Sequence, residues 1–220
     1  MKPNFDHAAT MAMQVLKDSG ITETPIDTLS ILLNYPGVRV MSFAKFASQI
    51  GVERNDLIPL FGANQDAATF HLKMNIDGVR YVVVYNMRLP FDVVWRAVAR
   101  ELGHIALGHD GETRPTEVRM DEAVCFAHHL ISPRPVLQML IDAGIPLTMN
   151  VLTATTGCSY ECVEEMRTIP GANVPADLNR EVKALFERGI SEYISFYKAA
   201  KKHDTTPQID FGTFMNNYKE

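Results

Sequence analysis

Apolar and polar positions along this chain follow two periods. Phe5, Ala8, Ala12, Val15 and Leu16 recur at helical spacing behind Asn4, a residue able to cap, and Gly20 stops the run. Thr24-Pro25 predicts an N-cap followed by proline in the first helical position, with a short helix to about Asn34 ended by Tyr35-Pro36-Gly37. Val38 to Phe43 predicts a short strand. Ser42 through Phe61 predicts one or two short helices broken at Gly51.

The period then changes to two. Phe70, Leu72, Met74 and Ile76 alternate with His71, Lys73 and Asn75, and Asp77-Gly78 separates them from Tyr81, Val83 and Tyr85. Asp-Gly between alternating runs predicts a type I′ hairpin, because both central residues need positive φ. Val82 and Val84 make the second strand apolar on both faces, which predicts a more central place for it.

The rest of the pattern is helical. A helix is predicted from about Pro90 to Gly108 with Trp95, Val98, Leu102, Ile105 and Ala106 as its core stripe, and Arg96, Arg100 and His104 four apart on another face. Others follow from about Thr116 to Ile131 and from Pro135 to Ala143. Two short helices are predicted around Gly157-Cys158-Ser159, with Ser159 as N-cap, at helix-turn-helix-like spacing. A last amphipathic helix runs from about Asp177 to Lys202, and residues 203–220 read as a tail. The expected fold class is α+β: a small antiparallel sheet or hairpin packed on the helix carrying Arg100 and His104, then an all-helical C-terminal part. The expected division is 1–146, 147–202 and a tail at 203–220.

Composition narrows the function. The 220 residues are 46% hydrophobic and 21% charged with a net charge of −5, which suits a globular chain and gives no basic footprint for nucleic acid. No apolar run approaches the ~18 residues that span a bilayer, and the N-terminus lacks a signal-peptide core. Three cysteines, sparse and odd in number, suggest a reducing cytoplasm rather than a disulfide framework. Cys158 and Cys162 read as core thiols rather than half a metal site. The second helix of the helix-turn-helix-like pair carries Glu161, Glu164 and Glu165 against Arg167, the wrong charge for phosphate. Lys198, Lys201 and Lys202 complement a helix C-terminus.

The candidate chemistry lies in Val98–Asp110, VARELGHIALGHD. In H-E-x-x-H zinc sites two histidines four apart project from one helix face, and the glutamate serves the metal-bound water as general base. Here Glu101 and His104 hold their expected positions, but Arg100 stands where the first histidine belongs. Residues 100–127 resemble the ImmA/IrrE family of metallo-endopeptidases. That family has a helix of the type A-H-E-L-G-H-x-x-L-G-H and a second of the type E-A-x-x-F-A-x-x-L-[LI]-x-P. This chain reads A-R-E-L-G-H-I-A-L-G-H, and then E-A-V-C-F-A-H-H-L-I-S-P from Glu122 to Pro133. Thr153 to Arg167 is similar to the family's helical segment after the peptidase core. The resemblance covers roughly residues 4–167.

The resemblance implies a zincin-like fold, Glu101 as general base, and His104 and Glu122 as zinc ligands. The family's role, cutting a helix-turn-helix repressor on a mobile element or in a stress response, implies a protein partner or substrate. Arg100 cannot coordinate zinc: guanidinium has no free lone pair and stays charged. We therefore expect no bound cofactor, an Arg100–Glu122 ion pair in place of the metal, and a degenerate peptidase that binds its partner without cutting. The alternatives are an active zinc peptidase with a weakened or re-liganded site, and a DNA-binding regulator. His109 is the candidate substitute ligand. It lies about 140° round the helix from His104, so it must turn in from the helix end. The plainer reading makes it a C-terminal residue favoured by the helix dipole, with His128 and His129 surface or half-buried.

Overall fold

The computed structural model describes residues 2–53, 66–76, 78–110 and 115–202. Helix α1 (Phe5–Ser19) starts where the Asn4 side chain accepts the His7 N–H and stops at left-handed Gly20. Helix α2 (Thr28–Leu33) begins later than Thr24-Pro25 predicts: the Asp27 carboxylate caps it, accepting the Ser30 N–H at 2.9 Å. Strand β1 (Val38–Ser42) leads into α3 (Phe43–Ile50), capped by Ser42 and closed by Gly51. The remainder of the predicted Ser42–Phe61 helical stretch lies outside the described residues.

Strands β2 (Ala67–Ile76) and β3 (Val79–Tyr85) form the expected antiparallel hairpin, although Asp77 at its turn lies outside the described residues. The sheet as a whole is not antiparallel. Its order is β1-β3-β2, and β1 runs parallel to β3 with Val38 opposite Tyr81 and Ser42 opposite Tyr85. Parallel neighbours need a long connection, and α3 and β2 both lie between β1 and β3 in the sequence. β3 is central, as its two apolar faces require: Val83 joins the main core, while Val84 packs with Met41, Phe43 and Ala47 on the other side.

Helix α4 (Phe91–Ala106) packs against β2 and β3 and against α5 (Thr116–Ile131), which in turn lies on α1. The contact between α4 and α5 is close because Gly103 has no side chain. A Cβ there would stand 3.0 Å from Phe126 Cδ1 and 3.2 Å from the Ala123 carbonyl oxygen. This approach sets His104 beside the turn of α5 that bears Glu122.

Helices α6 (Arg134–Asp142), α7 (Met149–Thr156), α8 (Tyr160–Met166) and α9 (Ala176–Lys202) complete the described chain. Ser159 caps α8. α9 packs on α6 and α1. Val182, Phe186 and Ile190 enter the same core as Leu16, Leu102 and Phe126, so the late helices and the sheet-bearing part share one interior. Among the described residues, no helix is long and apolar enough to cross a membrane.

Gly157 joins α7 to α8 with φ +71°, and a Cβ on it would come within 2.8 Å of Trp95 Cζ3 and 3.0 Å of Pro25 Cβ. Gly157→Ala is therefore expected to lower the unfolding free energy by about 2 kcal/mol, from left-handed backbone and overpacking together. Urea unfolding of the variant measures this. A loss below about 0.5 kcal/mol would mean that Trp95 yields freely.

Candidate functional site

The motif helix α4 sends its polar side chains to two different places. Glu101 faces the sheet: its Oε2 accepts the Thr69 hydroxyl of β2 at 2.8 Å, and the residue is buried. Burial pushes its carboxyl above the ordinary range, against the hydrogen bond from Thr69 and the charge of Arg100, which pull the other way. His104 lies one turn further along, on the same side as Glu101. With Thr69, Tyr81, His109 and Arg119 these two line a cleft of about 290 Å³.

His109 is not a solvent-facing helix end. α4 closes on Gly108, whose φ of +65° turns the chain back over the last turn, and the His109 N–H bonds the His104 carbonyl at 2.9 Å. The His109 ring is thereby driven inward and is 3% exposed. Its Nδ1 lies 2.9 Å from His104 Nδ1, and its Nε2 lies 3.1 Å from Glu122 Oε2. Glu122, 2% exposed, accepts the backbone N–H of Asn4 on its other oxygen at 2.7 Å. The site is thus a chain of contacts, His104–His109–Glu122–Asn4, that ties α4, the loop after it, α5 and the start of α1.

Proton bookkeeping follows from donor and acceptor types. A proton on His109 Nε2 would let that nitrogen donate to the Glu122 carboxylate. One further proton serves the contact between the two Nδ1 atoms. Burial, helped by the charges of His109, Arg100 and Arg119, pushes the His104 pKa down to about 4, so its imidazole is neutral at pH 7.

The expected Arg100–Glu122 ion pair does not form. Arg100 Nη2 instead points to Glu101 Oε1 at 3.5 Å, while Glu122 is held by His109 and Asn4. Arg100 projects toward the Val124–His128 side of α5 and lines a separate cavity there, whereas Glu122 belongs to the His104 side. The positive charge does not replace a metal between the helices. The His109 imidazole occupies that bridging position.

Zinc, the metal that the family resemblance implies, finds suitable donor types here but not a suitable arrangement. Two histidines and a glutamate are a usual catalytic set. His109, however, offers Nδ1 to His104 and Nε2 to Glu122, so its two nitrogens face different partners and the three donors do not converge on one point. Among the described residues, no group of three His, Cys, Asp or Glu is placed to hold a metal ion.

The remaining candidates separate from this centre. Cys158 and Cys162 are buried free thiols, as their apolar positions predict. Glu165 of α8 pairs with Arg96 of α4. His129 is buried, its Nδ1 2.9 Å from the Cys125 carbonyl oxygen, and His128 is half-buried, its pKa pushed down to about 4 by burial and by His129. Thr69 and the Asn4 N–H were not among the residues singled out from the sequence. No family model, curated protein or solved structure matches this chain.

Proposed function

We propose that this chain is a metallopeptidase-like protein of the ImmA/IrrE kind whose hydrolytic centre is degenerate. In this reading it acts by binding a protein partner, a helix-turn-helix repressor being the expected class, in a mobile-element or stress-response setting in the cytoplasm. The observation that supports the reading is the His109 imidazole between His104 and Glu122. A metal would have to break the His109–Glu122 contact, and the arginine at position 100 offers no lone pair in return. Glu101 keeps the general-base position without a metal-bound water to act on. The acidic face of α8 speaks against DNA as the partner.

Zinc analysis of the protein purified without added metal or chelator tests this. Near-zero zinc is expected. Arg100→His restores a histidine pair four apart on α4 and is expected to gain zinc binding that the parent chain lacks. The second reading, a re-liganded zinc peptidase, draws on the adjacency of His104, His109 and Glu122. About one zinc per chain, lost in His109→Ala, would establish it and sink the degenerate reading.

A further inference from the structure

The far side of α4 carries a second cavity, largely apolar with charged groups on its walls, that the proposed function does not use. It holds about 250 Å³ between α4, α5, α8 and Ile169 just after α8. Arg96 and Arg100, one helical turn apart, line one wall, and His128 of α5 lines another. Val124, Met166 and Ile169 supply an apolar surface.

Two buried nitrogens of these lining residues have no hydrogen-bond partner among the described residues: Arg100 Nε and His128 Nδ1. Buried polar atoms in folded proteins are nearly all satisfied, so two such atoms on one cavity call for a ligand or solvent partner. Arg100 Nε carries a proton permanently, and a neutral imidazole can carry one on Nδ1. Both can therefore donate. Arg96 is committed to Glu165, whereas Arg100 has a single long contact of 3.5 Å to Glu101 among the described residues. The guanidinium of Arg100 is thus the under-used cation.

The charges on the walls limit what fits. Asp66 and Glu165 also line the cavity, so a dianion such as phosphate meets two carboxylates for two guanidinium groups. A monoanion with an apolar body meets the donors with its head and Val124, Met166 and Ile169 with its tail. We propose that this cavity binds a small aliphatic monocarboxylate, its carboxylate held by Arg100 and His128. The proposal does not rest on the reading of the centre around Glu101 and His104, although the Arg100 guanidinium also lies 3.5 Å from Glu101 Oε1.

Calorimetric titration of the full chain with sodium hexanoate tests this, with sodium phosphate and acetate as comparison probes. Saturable hexanoate binding is expected, weaker for acetate and absent for phosphate at equal ionic strength. Arg100→Gln should weaken it by about 10- to 100-fold, the range for a hydrogen bond to a charged group. Arg119→Gln, which alters the opposite cleft, should leave it unchanged. Val124→Phe, which fills the cavity and keeps its charges, gives the same loss if Arg100→Gln fails to fold. Phosphate binding as tightly as hexanoate, an unchanged affinity in Arg100→Gln or Val124→Phe, or no saturable binding would each overturn the proposal. Metal content and peptidase activity do not enter this readout, so the site and the degenerate-peptidase reading can fail separately.

Discussion

Glu122→Ala is expected to destabilise the protein by about 3–5 kcal/mol, the usual result of removing one member of a buried, hydrogen-bonded charged contact. The reason is what it leaves behind. Glu122 accepts the Asn4 N–H at 2.7 Å in a part-buried contact and the ring of buried His109 at 3.1 Å. Alanine removes the carboxylate that both the Asn4 N–H and the buried His109 ring contact, and opens a void between α1 and α5. Glu122→Gln keeps the shape and one carbonyl acceptor, so its loss should be smaller. A double-mutant cycle with His109→Ala separates the pair from its surroundings: the coupling should exceed about 1 kcal/mol. Urea denaturation with and without EDTA supplies the numbers. A Glu122→Ala loss below about 1 kcal/mol, or strict additivity with His109→Ala, would show that the contact chain contributes little to stability.

The same contact chain shows what the sequence revealed and what it hid. Helix starts carried their own marks in Asn4 and Ser159, and the stop at Gly20 was equally plain. The doubly apolar β3 announced its central place. The parallel pairing of β1 was not visible, because a five-residue strand says nothing about which neighbour it takes or in which direction. At the site, Glu101 and His104 were read from the motif spacing and Glu122 from the family resemblance, and the structure does gather the last two around His109. The inward turn of His109 had a signal that could have been used. A glycine just past a helix end takes the left-handed form and folds the next residue back over the last turn, and Gly108 precedes His109. Arg100 misled for a different reason: it was paired with Glu122 of the next helix as a stand-in for the metal, whereas its guanidinium lies beside its neighbour Glu101 and on the Val124–His128 side of that helix. The contact of Asn4 with Glu122 gave no signal. The Asn4 N–H reaches Glu122 across 118 residues of sequence, through packing of α1 on α5 that no local pattern encodes.

Acid should unfold this protein well before its carboxylates are fully protonated. His104 and His128 both have pKa values pushed down from 6.5 to about 4, chiefly by burial. The direction of the linkage is fixed by which state binds protons. An unfolded chain takes up a proton at each histidine near pH 6.5, and the native state does not until about pH 4. The stability held by each histidine is therefore fully present above about pH 6.5 and is lost as pH falls toward 4. Each shift corresponds to about 3 kcal/mol, set against total stabilities of about 5–15 kcal/mol for a domain. His129, also pushed down by burial, adds in the same direction. Glu101 opposes them: its raised pKa lets the native state bind a proton before the unfolded chain does, which favours folding as pH falls. One carboxyl against three histidines leaves a net loss. Urea midpoints measured between pH 7 and pH 5, where most carboxylates stay ionised, isolate the histidine part. The unfolding free energy should fall by about 2–3 kcal/mol per pH unit, given roughly two extra protons on the unfolded chain. His128→Gln should flatten that slope by about one proton. A stability that does not change between pH 6.5 and pH 5, or a slope untouched in His128→Gln, would mean that these histidines are protonated inside the folded protein.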